Sequence, residues 1–201
     1  MAKRMTSQMS VNLSKGGLEQ AQKAANGKDL PPVHLWNPPF CGDLDMQIKR
    51  DGTWIHEGRP INRPEMVRMF SSILKKEGAD YFLVTPVEKV GITVEDAPFV
   101  ALDIDASEDG GTQSLRFTTH VGDVVLADEG HPIRFTSDPV TQEPSVYVMV
   151  RAGLEARLDR KTFYRSIDLG HEQKVDATVM FGITSMGAFF PMMPAEHLDQ
   201  D

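Results

Sequence analysis

Two stretches of the chain show the same order of sequence features, and this internal similarity constrains the fold more than any single motif. "IKRDGTWIHEGRPINRPEMVRMF" and "VMVRAGLEARLDRKTFYRSI" each contain an apolar strand, a basic residue, a turn glycine, a short strand, a capping residue, an arginine and an amphipathic helix. The matched residues include Gly52 with Gly153, Glu57 with Glu155, Arg59 with Arg157, and Arg63 with Arg160. A hairpin followed by a helix is a common unit, and short charged matches arise by chance. The shared order nevertheless predicts a duplicated core whose two copies have the same connectivity.

Each copy is predicted to contain one helix. In the first copy, Asn62 and Glu65 have the spacing of a capping box, and apolar residues then recur at helical spacing until Gly78. These apolar residues are Met66, Phe70, Ile73 and Leu74. In the second copy, Asp159 is a suitable N-cap and Gly170 is a suitable residue just beyond the C-terminus. We expect a first helix of about four turns and a second helix near residues 160–169.

The remaining sequence is dominated by patterns typical of β-strands. Polar and apolar residues alternate on both sides of Asp51-Gly52, a dipeptide that favours a two-residue hairpin turn. Other segments are rich in β-branched and aromatic residues, which favour strands. They are "YFLVTPV", "VGITVED", "PFVALDID", "SLRFTTH", "DVVLAD", "PIRF" and "VYVMV". The predicted class is α+β, with a duplicated core of antiparallel sheet plus one helix per half.

Composition along the chain predicts three regions. Residues 1–29 are polar and form an N-terminal arm, in which "GLEQAQKAA" has the pattern of one or two helical turns. Residues 30–96 form an N-terminal α+β half that starts with the proline-rich "LPPVHLWNPPF". Residues 97–201 form a C-terminal half rich in β-structure.

Charge and cysteine content argue against several classes of partner. With 21 basic and 29 acidic residues, the net charge of −8 opposes the field of a nucleic-acid polymer. A single cysteine, Cys41, cannot form an intramolecular disulfide, which fits a reducing cytoplasm. The sequence has no apolar leader and no run of about 18 apolar residues that could span a membrane. We therefore expect a cytoplasmic protein that binds no nucleic-acid polymer and does not insert into a membrane.

The common catalytic and cofactor-binding signatures are absent from the sequence. It contains neither GxGxxG nor a P-loop. "GITSMG" departs by one residue from the nucleophile elbow GxSxG, so Ser185 is not predicted to be a nucleophile. The six histidines show no HExxH spacing and no cysteine at zinc-ligand spacing. No catalytic residue, metal or cofactor is therefore predicted, although a metal held by His120 and His131 is an alternative.

The segment "YFLVTPVEKVGITVEDAPF" is predicted to connect the two halves. Small-molecule sites often lie between domains, so its hydroxyl and charged residues are candidate ligand contacts. They are Thr85, Glu88, Lys89, Glu95 and Asp96. Trp54, Arg63 and Phe99 join them as groups that would recognise an aromatic anion. In the alternative interpretation, Glu88 and Lys89 only hold the halves together by hydrogen bonds.

These motifs resemble the bacterial family known as domain of unknown function 1285. The resemblance runs from about residue 30 to the final strand, and its specific motifs are "DGTW", "TPVEK" and "VEDAPF". The family brings no established activity. The resemblance implies a duplicated core, a C-terminal half superficially similar to pleckstrin-homology folds, and a ligand site between the halves for a nucleotide-like molecule in signalling.

Three functional hypotheses follow from the sequence. The first is a non-enzymatic ligand-binding or signalling module with a nucleotide-like ligand. The second is a small hydrolase that uses Glu88 and Asp96 as paired carboxylates. The third is a protein–protein interaction domain that uses an exposed strand edge or the apolar segment "FFPMM".

Overall fold

The structure, a computed structural model, describes residues 13–25, 30–138, 141 and 143–197. The chain divides into two compact units. Unit 1 comprises residues 1–49 and 53–95, and unit 2 comprises residues 50–52 and 96–201. No helix in the described part of the chain combines the length and the apolar character that crossing a bilayer requires.

Unit 1 is built on one six-stranded sheet. Its elements are α1 (Lys15–Ala24), a short 3-10 helix (Val33–Leu35), β1 (Phe40–Ile48), β2 (Trp54–His56), β3 (Arg59–Pro60), α2 (Pro64–Ser72), β4 (Leu74–Glu77), β5 (Asp80–Val84) and β6 (Lys89–Val94). The strand order is β3-β2-β1-β6-β5-β4. All neighbouring strands are antiparallel except β1 and β6, which are parallel.

Unit 2 contains a second six-stranded sheet and a three-stranded sheet. Its elements are β7 (Phe99–Asp109), β8 (Thr112–Thr119), β9 (Val124–Leu126), β10 (Ile133–Ser137), β11 (Pro144–Arg151), β12 (Leu154–Leu158), α3 (Arg160–Asp168), β13 (His171–Val175), β14 (Thr178–Ser185), β15 (Ala188–Pro194) and a final 3-10 turn (Ala195–His197). The larger sheet has the order β10-β11-β12-β7-β8-β9, with β12 and β7 parallel, and β13-β14-β15 form the smaller sheet. Every strand segment predicted above from the sequence corresponds to one of these strands or to β5 and β6.

The predicted α+β class and the duplicated arrangement are confirmed. In each unit a hairpin is followed by a helix of nine residues and then by three antiparallel strands. The prediction that the two hairpin-plus-helix copies share one connectivity is wrong, because the strands after α2 belong to the six-stranded sheet of unit 1 whereas those after α3 form a separate sheet. The two six-stranded sheets instead have the same strand order when β1–β6 are matched with β7–β12, and the helix follows the third of these strands in unit 1 but the sixth in unit 2. The expected likeness of the C-terminal half to pleckstrin-homology folds stays a prediction; unit 2 has two mainly antiparallel sheets and the helix α3.

The first of the two repeated helices is shorter than predicted and begins differently. α2 starts at Pro64 with Arg63 as its N-cap, and no side chain caps it, so the predicted capping box is wrong. Proline suits the first helical position because its fixed φ is already helical and its missing N–H is not needed there. The segment Leu74–Glu77 forms β4 and pairs with β5, with Gly78 at positive φ in the turn. Strand pairing therefore overrides the helical spacing of the apolar residues.

The second helix has the predicted start. The Asp159 side chain accepts a hydrogen bond of 2.7 Å from the backbone N–H of Thr162, which confirms the N-cap. Gly170 follows the C-cap residue, and its N–H donates to the Ile167 carbonyl. Gly170 does not have a positive φ, but a Cβ at this position would overlap the ring of Phe181. Glycine is favoured here because a side chain would overlap Phe181, and not because the backbone has a left-handed conformation.

The hairpin predicted at Asp51-Gly52 is present, but its loop is longer than two residues. The N–H of Lys49 donates to the carbonyl of Thr53 at 2.8 Å, which leaves residues 50–52 as the loop. Only Gly52 has a positive φ there, as in three-residue loops that end with a left-handed residue. Two-residue turns with both φ angles positive occur instead at Glu57-Gly58 and Ala152-Gly153. The first of these turns joins β2 to β3, and the second joins β11 to β12. β3 and β12 are the strands that lead into α2 and α3.

Part of the predicted N-terminal arm is a helix. α1 has ten residues, and among them only Gly17 and Ala21 are buried. Ser14 is the N-cap and accepts a hydrogen bond from the Gly17 N–H at 3.1 Å. Residues 1–12 and 26–29 of the arm lie outside the described residues.

Candidate functional site

The motif "TPVEK" forms the turn between β5 and β6 in unit 1. The N–H of Thr85 donates to the Glu88 carbonyl at 2.9 Å, and the N–H of Glu88 donates to Thr85 Oγ1 at 3.2 Å. Thr85 is fully buried. The Thr85 hydroxyl therefore stabilises the turn that Pro86 occupies.

The Glu88 carboxylate holds helix α1. Its Oε1 accepts hydrogen bonds from the backbone N–H of Ser14 at 2.9 Å and from the Ser14 hydroxyl at 2.8 Å. A Cβ on Gly17 would lie 2.6 Å from the same oxygen and 2.9 Å from Thr85 Oγ1. Glycine at this position therefore allows α1 to approach the turn closely.

Lys89 is bound to a neighbouring strand. Its ammonium lies 2.9 Å from Oε2 of Glu77 and 4.9 Å from the centre of the Phe82 ring. Lys75 contacts the other Glu77 oxygen at 3.1 Å. The hydrogen bonds from Lys89 and Lys75 hold the pKa of Glu77 below its usual value. These contacts match the structural interpretation of Lys89, although its partner is a strand of the same unit.

Three other predicted site residues of unit 1 lie in different surroundings. Trp54 is 1% exposed, and its ring stacks on Phe70 at a centroid distance of 6.2 Å. Arg63 is exposed at the start of α2. Glu95 accepts hydrogen bonds from Lys49 Nζ at 2.6 Å and from the side chain of Gln47 at 3.0 Å. Burial of the indole favours its packing role over a role as an exposed stacking platform.

Asp96 lies at the centre of a charged cluster in unit 2. Its Oδ1 accepts a hydrogen bond of 2.8 Å from the Tyr147 hydroxyl, and its Oδ2 lies 3.4 Å from Arg50 Nε and 3.5 Å from Arg157 Nε. Burial, followed by the hydrogen bond to Asp96, raises the pKa of Tyr147, so the phenol stays a donor. Phe99 is fully buried beneath the guanidinium of Arg151, 4.7 Å from its ring centre.

The predicted site residues therefore separate into several local groups. Thr85 and Glu88 share one turn, five of the other residues contact different partners, and Arg63 is exposed at the start of α2. Their role in binding a ligand stays a prediction. The contacts described above account for Glu88 and Lys89 as structural groups of unit 1.

Unit 2 contains a pocket at the point where β12 leads into α3. Its volume is about 380 Å³. The lining residues are Glu143, Pro144, Ser145, Val146, Arg157, Leu158, Arg160, Phe163 and Tyr164. We call this cavity the α3 pocket. It lies between the start of β11, the end of β12 and the exposed side of the first turns of α3.

Arg157 is held only loosely by its protein partners. One Nη donates to Ser145 Oγ at 3.3 Å, which is long for such a bond. Its Nε lies 3.5 Å from Asp96 Oδ2, and neither of these two buried atoms makes a hydrogen bond. Because the buried Nε faces Asp96, an anionic partner would be bound by the terminal nitrogens, of which only the one that contacts Ser145 makes a hydrogen bond among the described residues.

Aromatic groups form one wall of the α3 pocket. The rings of Phe163 and Tyr164 meet edge to face at a centroid distance of 5.4 Å. Tyr164 is 55% exposed, and the Arg160 guanidinium lies 5.8 Å from its ring centre. The pocket thus combines an aromatic wall with a second arginine that has no carboxylate partner in the described part of the chain.

Sequence reasoning did not select Arg157 and Arg160 as site residues. Both were visible in the internal similarity, where they match Arg59 and Arg63. Their presence in both copies was therefore an available signal. What the sequence did not show is that β11 places Ser145 beside Arg157, since this contact depends on the pairing of β11 with β12.

Other candidate groups have structural contacts. The Ser185 hydroxyl donates to the Ala127 carbonyl at 2.6 Å and accepts from the Leu115 N–H at 3.0 Å, and the residue is fully buried. Within the described ranges, no group of three or more histidine, cysteine, aspartate or glutamate residues is arranged to hold a metal ion. In "FFPMM", Phe190 is buried, while Phe189 and Met192 are half-buried.

Family comparisons cover most of the chain. Residues 31–97 match the N-terminal domain of DUF1285, a domain of unknown function. Residues 98–192 match the DUF1285 C-terminal domain, described as a protein of unknown function. No curated protein matches the chain significantly.

Solved structures of the same family resemble this protein. A DUF1285 family protein from Silicibacter pomeroyi DSS-3 is 58% identical, with a TM-score of 0.80, and the match covers 91% of this chain and 98% of that chain. A DUF1285 family protein from Shewanella baltica OS155 is 28% identical, with a TM-score of 0.49, and the match covers 62% of this chain and 91% of that chain. Since both family domains match in order along the sequence, this protein belongs to the DUF1285 family.

Proposed function

We propose that this protein is a non-enzymatic ligand-binding module and that unit 2 binds a nucleotide-like small molecule in the α3 pocket. The observation that carries the proposal is the guanidinium of Arg157, which borders the pocket and whose terminal nitrogens make one hydrogen bond, to Ser145, among the described residues. Ligand sites of about 300–1,000 Å³ are typical for small molecules, and the α3 pocket has about 380 Å³.

The charges of the α3 pocket favour an anion. Arg157 and Arg160 supply two guanidinium groups, and guanidinium matches phosphate and carboxylate oxygens in a bidentate geometry. Ser145 adds a hydroxyl that already contacts Arg157. Glu143 is the one carboxylate in the lining and limits the negative charge that the pocket accepts. A monophosphate fits this balance better than a triphosphate.

The aromatic wall favours a ligand with a planar ring. Tyr164 has more than half of its surface exposed, so a ring can stack on it without moving the helix. Stacking of a nucleic-acid base on an aromatic side chain contributes about 1–3 kcal/mol. Phosphate recognition by arginine and base stacking on Tyr164 together describe a nucleoside monophosphate.

Binding is favoured over hydrolysis by the same lining. Glycosidase-type chemistry needs two opposed carboxylates, and Glu143 is a single one. Of the two carboxylates considered from the sequence, Glu88 binds Ser14 and Asp96 binds Tyr147 and two arginines. These partners support structural roles for both groups.

Isothermal titration calorimetry with adenosine monophosphate tests the proposal. We expect Arg160→Gln to weaken binding about tenfold, since a charged hydrogen bond is worth about 1.5–3 kcal/mol. Tyr164→Ala should weaken it by a similar factor. The matched control is Arg116→Gln, because Arg116 is also exposed and lies on β8 of the same unit.

Separate titrations with adenosine and with inorganic phosphate distinguish the contribution of base stacking from that of phosphate binding by the arginines. Each should bind more weakly than the monophosphate, because each makes only one set of contacts. Equal affinity of the wild type, Arg160→Gln and Tyr164→Ala for adenosine monophosphate would contradict the proposed site. The absence of any binding heat at high ligand concentration would contradict the proposed ligand.

A further inference from the structure

Unit 1 has a groove where a short strand leads into a helix, which is also the local setting of the α3 pocket. It lies where β3 leads into α2 and has a volume of about 530 Å³. The lining residues are His56, Glu57, Arg59, Pro60, Ile61, Asn62, Arg63 and Met66. We call it the α2 groove.

The α2 groove carries two arginines without protein partners. Arg59 and Arg63 are both exposed, and neither makes an ion pair or a side-chain hydrogen bond within the part of the chain that the structure describes. The chain has 29 acidic residues, so partners for these cations are plentiful. Other arginines do find them, as Arg134 does with Glu155 and Arg165 with Asp103. The two cations of the groove are thus unmatched in an acidic protein.

Three further polar side chains line the α2 groove. His56 lies directly opposite Arg59 in the pairing of β2 with β3. Glu57, at the adjacent turn, is the one carboxylate in the lining. Asn62 supplies an amide between the two arginines in the sequence. An anion with more than one charged group fits this arrangement.

The remaining lining of the α2 groove is aliphatic. Pro60, Ile61 and Met66 provide the apolar part, and Ile61 and Met66 are half-buried. Phenylalanine, tyrosine and tryptophan do not line this groove, unlike the α3 pocket. A base or another planar ring would find no stacking partner here. An aliphatic side chain would pack against the apolar part.

Backbone geometry excludes one common mode of peptide binding at this place. β3 is the edge strand of the sheet, but it has only two residues, and one of them is Pro60. Proline has no N–H to donate, so an added strand would find few main-chain partners. Recognition in the α2 groove must come from side chains.

We infer that the α2 groove is a docking surface for an acidic segment of a partner protein. Carboxylates of the segment pair with Arg59 and Arg63, since the guanidinium fork matches a carboxylate in two parallel hydrogen bonds. An aliphatic side chain between those carboxylates packs on Ile61 and Met66. The segment is held by its side chains and lies across β3 and the start of α2. This surface is separate from the proposed nucleotide site and does not depend on it.

Fluorescence anisotropy with a labelled peptide, Glu-Glu-Leu-Glu-Glu, tests the inference on the whole chain. The control peptide, Gln-Gln-Leu-Gln-Gln, has the same shape without charge. We expect the acidic peptide to bind at least about tenfold more tightly, with an affinity that falls as salt is added. Equal affinity for the two peptides would overturn the inference.

Substitutions locate the peptide on the α2 groove. Each exposed ion pair contributes up to about fivefold, so Arg59→Gln with Arg63→Gln should weaken binding by up to about 25-fold. Arg68→Gln is the matched control, because Arg68 is exposed on α2 and also lacks an ion pair in the described residues. An equal loss in Arg68→Gln would show binding to general surface charge and would overturn the inference.

Two further measurements separate the docking surface from other sites. The double variant should titrate with adenosine monophosphate as the wild type does, so failure of either proposal can be recognised by itself. Met66→Ala should weaken the acidic peptide but leave a peptide with alanine in place of leucine nearly unaffected. Displacement of the labelled peptide by an equal concentration of inorganic phosphate would mean that the groove binds simple oxyanions, and would overturn docking of a protein segment.

Discussion

Helices α2 and α3 have the same length and each follows a short strand, but they occupy different places in their units and different contacts hold them. α2 buries Phe70 against the indole of Trp54, together with the small residue Ser71. α3 buries two small hydroxyl residues, Thr162 and Ser166, both 0% exposed. Large aromatic side chains stabilise by the area that they bury, whereas small side chains let a helix approach the sheet closely. Two different kinds of packing therefore hold the two helices.

Polar contacts differ between the helices in the same way. Arg165 of α3 binds Asp103 and the Ile104 carbonyl of β7, which ties the helix to the sheet of unit 2. The hydrogen bond from Arg165 holds the pKa of Asp103 below its usual value. α2 has no side-chain cap, whereas Asp159 caps α3. Apolar packing thus dominates at α2, and polar contacts take a larger share at α3.

The largest expected effect tests the apolar packing of unit 1. Trp54→Ala removes a fully buried indole and leaves Phe70 without its stacking partner, so we expect a loss of about 3–5 kcal/mol in the free energy of unfolding. Urea unfolding followed by circular dichroism measures it. Tyr164→Ala removes an exposed aromatic residue from α3 and should cost less than about 1 kcal/mol. Similar losses in the two variants would remove the contrast between the helices.

A smaller effect concerns the start of each helix. Asp159→Ala deletes the acceptor of the Thr162 N–H and should cost about 0.5–2 kcal/mol. Arg63→Ala at the corresponding position of α2 deletes no cap bond and should stay within about 0.5 kcal/mol of the wild type. Thermal unfolding of the two variants compares them directly. A larger loss for Arg63→Ala would show that its side chain stabilises α2 by another contact.

The close packing of α3 can be tested at one buried hydroxyl. Thr162 Oγ1 is buried without a hydrogen-bond partner, so Thr162→Val should leave stability unchanged or raise it by up to about 1 kcal/mol. Thr162→Ser keeps the hydroxyl but removes a methyl group, and should cost about 0.5–1.5 kcal/mol. Urea midpoints measure both. A destabilised valine variant would show that the hydroxyl has a partner in solution, such as a water molecule.

The smallest expected effect is a dependence on pH that is specific to unit 2. Burial lowers the pKa of His120 from its ordinary value of 6.5, and its Nδ1 accepts a hydrogen bond from the Val100 N–H at 3.1 Å. Below pH 6.5 the unfolded chain therefore binds a proton that the folded chain resists. Stability should fall as pH decreases from 6.5 toward the lower pKa of the folded state, and should not depend on His120 above 6.5.

Urea unfolding across this pH range measures the contribution of His120. In His120→Asn the slope of stability against pH should be smaller than in the wild type. The lowered pKa values of Glu77 and Asp103 act in a separate, more acidic range, because their usual values are 4.5 and 3.8. An unchanged slope in His120→Asn would mean that the imidazole is solvated in the folded protein.

Much of the fold could be predicted because it depends on local patterns. The alternation in "SLRFTTH" and "VYVMV" marks β8 and β11, and Asp159 marks the start of α3. The end of α2 could not be predicted in this way. Leu74 continues the helical spacing, but it pairs with Leu83 in a hairpin, and strand pairing depends on residues outside the local window.

The contacts of the candidate site residues also depend on residues that are distant in the sequence, so local patterns do not predict them. Asp96 was selected from the sequence, but its contacts with Tyr147 and Arg157 join positions that are far apart in the chain. In the sequence, Arg157 does not differ from other charged residues, because its contact with Ser145 depends on the pairing of β11 with β12. The internal similarity indicated that arginines recur near the start of both helices. Only the tertiary structure shows that those of unit 1 lack ion-pair partners in the described residues.

The single parallel pair in each six-stranded sheet has a consequence for folding kinetics. Antiparallel neighbours such as β4 and β5 are joined by tight turns, and isolated hairpins form in about 1–10 μs. The parallel partners are distant in the chain, since Ile48 meets Val94 in unit 1 and Phe99 meets Ala156 in unit 2. Closing such long loops costs chain entropy before any contact is gained, and pairings of this kind are slow. We therefore expect each sheet to form as two locally folded ribbons, with the closing of the parallel pair as the slow step in folding of the unit.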